Sequence, residues 1–197
     1  EAKLDTTQKA QAINFDRNKY GTFAEIGAGQ EVARWFFQVG GAAGTVAKSM
    51  SAYDMAVSDA IYGNTERYVS QDRLLHMLDH EYDLLHKRLS ADRGSETRFF
   101  VYANTVAARS FSYQQDGQGW MGIRFQFSPM SPPNDIIMHV RLRDEDNLKQ
   151  QEAVGIIGVN LVHGAMEYPD DPHRILEALL DGLESWRAEV GMLRFSG

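Results

Sequence analysis

The segment Met121-Gly122-Ile123-Arg124-Phe125-Gln126-Phe127 decides the fold class. Its large apolar side chains stand at every second residue, so Met121, Ile123, Phe125 and Phe127 share one face of a strand, leaving Gly122, Arg124 and Gln126 on the other. The same period of two recurs from Ile136 to Arg143. There Ile136, Met138, Val140 and Leu142 alternate with Ile137, His139, Arg141 and Arg143. Pro129, Pro132 and Pro133 break the chain between the two runs, and a second set of turn residues lies at Gln114 to Gly119. Arg98 to Arg143 therefore reads as an antiparallel β-meander.

On either side the period becomes helical. From Ser70 to Leu89, residues Leu74, Leu78, Tyr82, Leu85 and Leu89 form one stripe behind Ser70 as N-cap. In Gln30 to Val39, residues Val32, Trp35, Phe36 and Val39 do the same, and Gly40 stands where a C-cap glycine ends a helix. Thr6 to Ile13 and Ala52 to Ile61 are weaker helices, and Tyr20 to Ile26 and Thr45 to Met50 read as strands. Downstream, a helix starts near Asn147, with Gln150 placed for a capping box, and runs to about Met166. It is apolar nearly all round from Ala153, and Gly155, Gly158 and Gly164 suit close packing. Asp171-Pro172 opens a third helix with Ile175, Leu176, Leu179, Leu180 and Leu183 inward, and Val190 to Phe195 is a last strand. The expected fold class is α/β or α+β, a mixed sheet containing an antiparallel meander (about 98–143) packed against several helices. No linker divides it, so residues 1–197 read as one globular domain.

Composition narrows the function classes. The 197 residues carry 20 Lys and Arg against 27 Asp and Glu, a net charge of −7, and no cysteine. The missing cysteine excludes thiol catalysis, disulfide scaffolds and cysteine-ligated metal sites. The acidic balance argues against a nucleic-acid partner, which needs a dense basic surface. The longest apolar stretch, Ala153 to Val162, is about half a membrane span, so no membrane partner is expected. No signal segment opens the chain, and a cytoplasmic location is the expectation.

Four motifs bear on chemistry. The polar side of the meander comes first: if the apolar positions face the helices, Arg124, His139, Arg141 and Arg143 gather on the opposite side, close to Trp120 and Gln126. Guanidinium groups on adjacent strands would attract a phosphate, a carboxylate or an acidic partner surface. A merely solvated outer face is the competing reading. Second, Phe23-Ala24-Glu25-Ile26-Gly27-Ala28-Gly29 is an acidic-apolar-glycine turn of the kind that lets backbone approach a cofactor in methyltransferases. The third glycine of that pattern is absent, with Gln30-Glu31 following instead, so Gly27 and Gly29 form a weaker second candidate site and a tight strand-to-helix turn is the better reading. Third, Gly40 to Ser49 superficially suggests a phosphate loop, but Ala47 stands where glycine must precede Lys-Ser. Fourth, His76 and His80 are four apart on a helix, yet the sequence between them is not a metalloprotease motif, and a solvated face is the better reading. No metal site, cofactor or catalytic residue is assigned.

Several runs occur together: Tyr20 to Arg34, Ser51-Ala52-Tyr53-Asp54, Arg98-Phe99-Phe100-Val101 with Asn104 to Ser110, and Gln151 to Leu161. With them the chain resembles the N-terminal part of a family of longer, uncharacterised bacterial proteins. These are commonly labelled nicotinate- or nicotinamide-nucleotide adenylyltransferases, and sometimes TonB-dependent receptors. The resemblance implies nucleotide chemistry; it carries over no catalytic residue. Taken together, the expectation is a ligand-binding or regulatory domain that takes an anionic, phosphorylated or nucleotide-like small molecule on the Arg-lined sheet face. The alternatives are an assembly domain contacting a protein partner or its own copies, and an enzyme, methyltransferase-like or nucleotidyl-transferring.

Overall fold

In the computed structural model, which describes residues 2–109 and 116–197, six strands form one mixed sheet in the order β2-β1-β3-β4-β5-β6. The strands are β1 (Lys19–Ile26), β2 (Val46–Ser51), β3 (Arg98–Ala107), β4 (Gly117–Gln126), β5 (Pro133–Leu142) and β6 (Ala188–Ser196). β1 runs parallel to β2 and β3, and every pair from β3 to β6 is antiparallel. The meander is thus extended by β6 on one side and joined to a small parallel unit on the other. Of the turn expected at Gln114 to Gly119, residues 114 and 115 lie outside the described residues, and β4 already begins at Gly117.

Helices cover both faces. α1 (Thr6–Asn14), α2 (Glu31–Gln38) and α5 (Asn147–Glu167) pack on one face around Phe23, Phe36, Phe100, Tyr102, Ile123, Met138 and Ile157, with α6 (Pro172–Ala178) outside α5. α3 (Met55–Tyr62) and α4 (Gln71–Arg93) lie on the other face, around Leu74, Leu78, Phe99, Val101 and Ile137. The alternation read from sequence is the one observed for Met121, Ile123, Phe125, Ile136, Met138, Val140 and Leu142, which all enter the first core; Phe127 does not, because β4 ends at Gln126 and leaves its ring exposed. α5 is buried along nearly its whole length, and Gly158 explains why. A Cβ there would meet Val32 Cγ2 at 2.2 Å, so only glycine lets α2 lie this close to α5.

Local signals fared unevenly at helix ends. Ser70 caps α4 by accepting from Arg73 N at 3.1 Å, and Asp171 caps α6 with Pro172 at its first turn. Two expectations need correction. The N-cap of α5 is Asp146, whose carboxylate accepts from Leu148 N at 2.7 Å; Gln150 is buried and bridges Arg109 N and Asp144 O instead of closing a capping box. α6 stops at Ala178, and Leu176 faces outward, because so short a helix has only one buried stripe, occupied by Ile175.

Candidate functional site

The parallel strands place their carboxyl ends at the edge of the sheet where β4 begins. Across this row Ile26, Thr105, Trp120, His139 and Met192 stand side by side on consecutive strands from β1 to β6. α4 starts too late to cover them. The uncovered surface is a groove of about 570 Å³, lined by Arg67, Ser70, Gln71, Gln118, Trp120, His139, Arg141, Glu189 and Met192. Its size is within the range of small-molecule sites.

Each wall has a structural reason. The segment before α4 is held down by Tyr68: its carbonyl accepts from Thr105 Oγ1 at 2.7 Å, and its hydroxyl donates to Asp59 Oδ2 at 2.7 Å. Arg73, fully buried, donates to Asp59 Oδ1 at 2.8 Å and lies over the Tyr68 ring. Those contacts fix the backbone that presents Arg67 to the groove. On the far side the β5–β6 register shifts between His139 and Val140, leaving Gly191 as the extra residue of a β-bulge. The bulge changes the parity of β6, so Glu189 and Met192 both face the groove; a regular strand would turn one of them away.

The groove floor is aromatic and its margin cationic. The Trp120 and His139 rings meet edge to face at 5.0 Å, and His139 Nε2 lies 2.8 Å from Gln118 Oε1. Burial, and then the neighbouring Arg141 charge, push the His139 pKa down, so the imidazole is neutral at neutral pH and Gln118 accepts from it. Arg141 has no ion-pair or hydrogen-bonding partner for its guanidinium among the described residues. The N-terminal turn of α4 adds the positive end of a helix dipole beside it.

The four sequence-derived sheet residues divide here. His139 and Arg141 line the groove, with Trp120 as expected. Arg124 stands elsewhere, opposite Asp135, which it grips with Nε and Nη2 at 2.8 and 2.9 Å while Nη1 pairs with Asp79. Arg143 follows the end of β5 and pairs with Glu189. The expected gathering of three guanidinium groups is therefore not formed, because two of them already hold carboxylates. Gln126 is also structural, its amide bonded to Phe99 N and Ser131 O. Gly27 and Gly29, both at positive φ, lie in the β1–α2 loop and do not line the groove. From the end of β1 the Glu25 carboxylate accepts from Val32 N and Ala33 N, both at 3.1 Å, and so occupies the N-terminus of α2 itself. Arg67, Gln71, Gln118, Glu189 and Met192 carried no sequence signal, since only the tertiary fold and the bulge bring them together.

No protein-family model matches the sequence, and no curated protein matches it. Solved structures do. A competence/damage-inducible protein from Agrobacterium tumefaciens superposes with a TM-score of 0.55 at 15% identity, over 82% of this chain and 96% of that one. The fold is that of the CinA superfamily proteins. A CinA superfamily protein from Enterobacter cloacae matches with a TM-score of 0.55 at 10% identity, covering 84% of this chain and 95% of that one. The competence damage-inducible protein A from Klebsiella pneumoniae gives 0.55 at 11%, covering 84% and 99%. The CinA-like neighbours correct the family expectation. Their fold, not an adenylyltransferase or TonB-dependent receptor label, is what this chain shares. Among the described residues, no helix is long and apolar enough to cross a membrane.

Proposed function

We propose that the chain binds an anionic, ring-bearing small molecule, such as a phosphorylated metabolite, in the groove beside α4. One observation carries this reading: among the described residues Arg141 makes no ion pair or hydrogen bond through its guanidinium, its cross-strand neighbour Glu189 being engaged by Arg143, and it stands at the margin of a groove whose floor is the Trp120–His139 ring pair. A planar ring gains stacking and dispersion energy on Trp120, and a phosphate or carboxylate gains a charge-assisted bond from Arg141. Arg67 offers a second guanidinium from the opposite wall.

Calorimetric titration with adenosine monophosphate and phenyl phosphate tests it. Arg141→Ala is expected to weaken binding about ten-fold or more, the worth of one charge-assisted hydrogen bond. Because Arg141 is exposed and holds no ion pair among the described residues, thermal stability should barely change. Affinity unaffected by Arg141→Ala would sink the reading.

A second reading, assembly with a protein partner or another copy, is favoured by one feature. β6 is an edge strand with Met192 and Phe195 both partly exposed, which is the form of surface that pairs with another strand. Light scattering across a concentration series distinguishes the two, because strand pairing predicts a mass that rises with concentration and ligand binding does not.

A further inference from the structure

On the opposite side of the molecule, between α1, α5 and α6, lies a separate pocket of about 460 Å³. Its walls include Leu4, Lys9, His163, Tyr168, Arg174 and Asp181. The fold builds the floor with care. Asn160 Nδ2 donates to the carbonyls of Leu179 and Asp181, both at 2.9 Å, which pins the chain after α6 against α5. Asn160 Oδ1 accepts from Lys9 Nζ at 2.8 Å, and Asp181 Oδ2 accepts from the same ammonium at 3.1 Å. Lys9 is only 3% exposed, yet two of its three N–H donors are used. Among the described residues the third has no acceptor, and Lys9 lines the pocket.

Two ammonium groups meet on one carboxylate at this pocket. Asp181 is shared between Lys9 and Lys3, so one carboxylate faces two ammonium groups. Arg174 lies over the Tyr168 ring at 3.6 Å and closes one wall. His163 is 4% exposed and makes no hydrogen bond among the described residues; its ring meets only the edge or face of Tyr168, at 5.8 Å. Its ring nitrogens are not among the sealed-off polar atoms that lack a partner, which leaves them reachable from the pocket that His163 lines. Burial lowers its pKa to about 4, with Lys9, Lys19 and Arg174 pushing the same way and Glu167 opposing, so it is neutral at neutral pH. A neutral ring offers one N–H and one lone pair beside the Lys9 ammonium. Leu4, Tyr168 and Ala178 supply apolar wall around this polar group.

We propose that this pocket is a second ligand site, taking a small organic oxyanion whose phosphate or carboxylate sits on Lys9 and His163 and whose body lies against Tyr168. It is independent of the groove beside α4, being on the other face of the sheet and sharing no residue with it.

The test is an NMR titration that follows the His163 and Tyr168 ring resonances, with phenyl phosphate and benzoate as probes. Saturable shifts at both rings are expected, unchanged in Arg141→Ala. Lys9→Met should weaken them about ten-fold or more, with folding verified by circular dichroism. Lys9 also ties α1 to α5, so Tyr168→Leu serves as the second variant and should weaken binding several-fold while leaving the ammonium in place. Three outcomes overturn the proposal: no saturable shift with either probe, shifts of undiminished affinity in a folded Lys9→Met or Tyr168→Leu protein, or shifts abolished by Arg141→Ala, which would assign the binding to the groove. Failure of the groove reading alone would leave these resonances responding as described.

Discussion

Gly27→Ala is expected to destabilise the protein by about 4 kcal/mol, which lowers the melting temperature by roughly 8–16 °C in a chain of this size. Two costs combine. Gly27 has φ +98°, a backbone conformation that strains any residue bearing a Cβ, and that Cβ would stand 1.9 Å from the Val106 carbonyl oxygen. The obstacle is the backbone of a central strand paired on both sides, so it has little room to give. Gly63 separates the contributions, because it has a similar φ of +88° with nothing within 4 Å of its Cβ position. Gly63→Ala should therefore cost only the conformational part, about 1–2 kcal/mol. Urea unfolding of the two variants measures the difference. Equal losses would show that the β1–α2 turn yields, and that Gly27 is kept for its dihedral angles alone.

That turn illustrates what the sequence could and could not disclose. Gly27 and Gly29 were legible as a strand-to-helix turn, but a glycine needed for backbone packing and one needed for a cofactor look the same in one dimension. Only the position of Val106 and the seat of the Glu25 carboxylate separate them. The meander was legible for a stronger reason. Its period of two fixes which side chains share a face, whatever the strand order. Facing, however, is not proximity. Arg124 and Arg141 do lie on one side of the sheet, but Arg124 stands opposite Asp135 and Arg141 opposite Gln118, six residues apart along β4. The carboxylate that completes the Arg124 site comes from Asp79 on α4, and the one that holds Arg143 comes from Glu189 on β6. Asp79 and Glu189 are remote in sequence, and Asp135, although in the same hairpin as Arg124, meets it only in a register that the pattern of apolar residues does not single out. The bulge at Gly191 was equally hidden, although it is what turns both Glu189 and Met192 into the groove.

Replacing Glu25 with glutamine is expected to change how stability depends on pH. Glu25 is 1% exposed, and burial outweighs its bonds to Val32 N, Ala33 N and Asn104 Nδ2, raising its pKa from 4.5 to about 7. Between those values the folded chain holds a proton that the unfolded chain has released. Stability contributed by this group is therefore complete below pH 4.5 and is lost as pH rises through 7, amounting to about 3 kcal/mol. His163 acts in the opposite sense over part of the range. Its folded pKa of about 4 lies below the usual 6.5, so its contribution is lost as pH falls. The wild-type profile is thus the sum of two opposed slopes, and only the difference between wild type and Glu25→Gln isolates the carboxyl group. That difference should shift against the wild type by about 3 kcal/mol from pH 4.5 to 7.5, as measured by urea unfolding at fixed ionic strength. A difference independent of pH would mean that Glu25 keeps an ordinary carboxylate pKa in the folded state. The paired amides of α2 and the Asn104 side chain would then have to stabilise its charge far better than their distances of 3.1 Å imply.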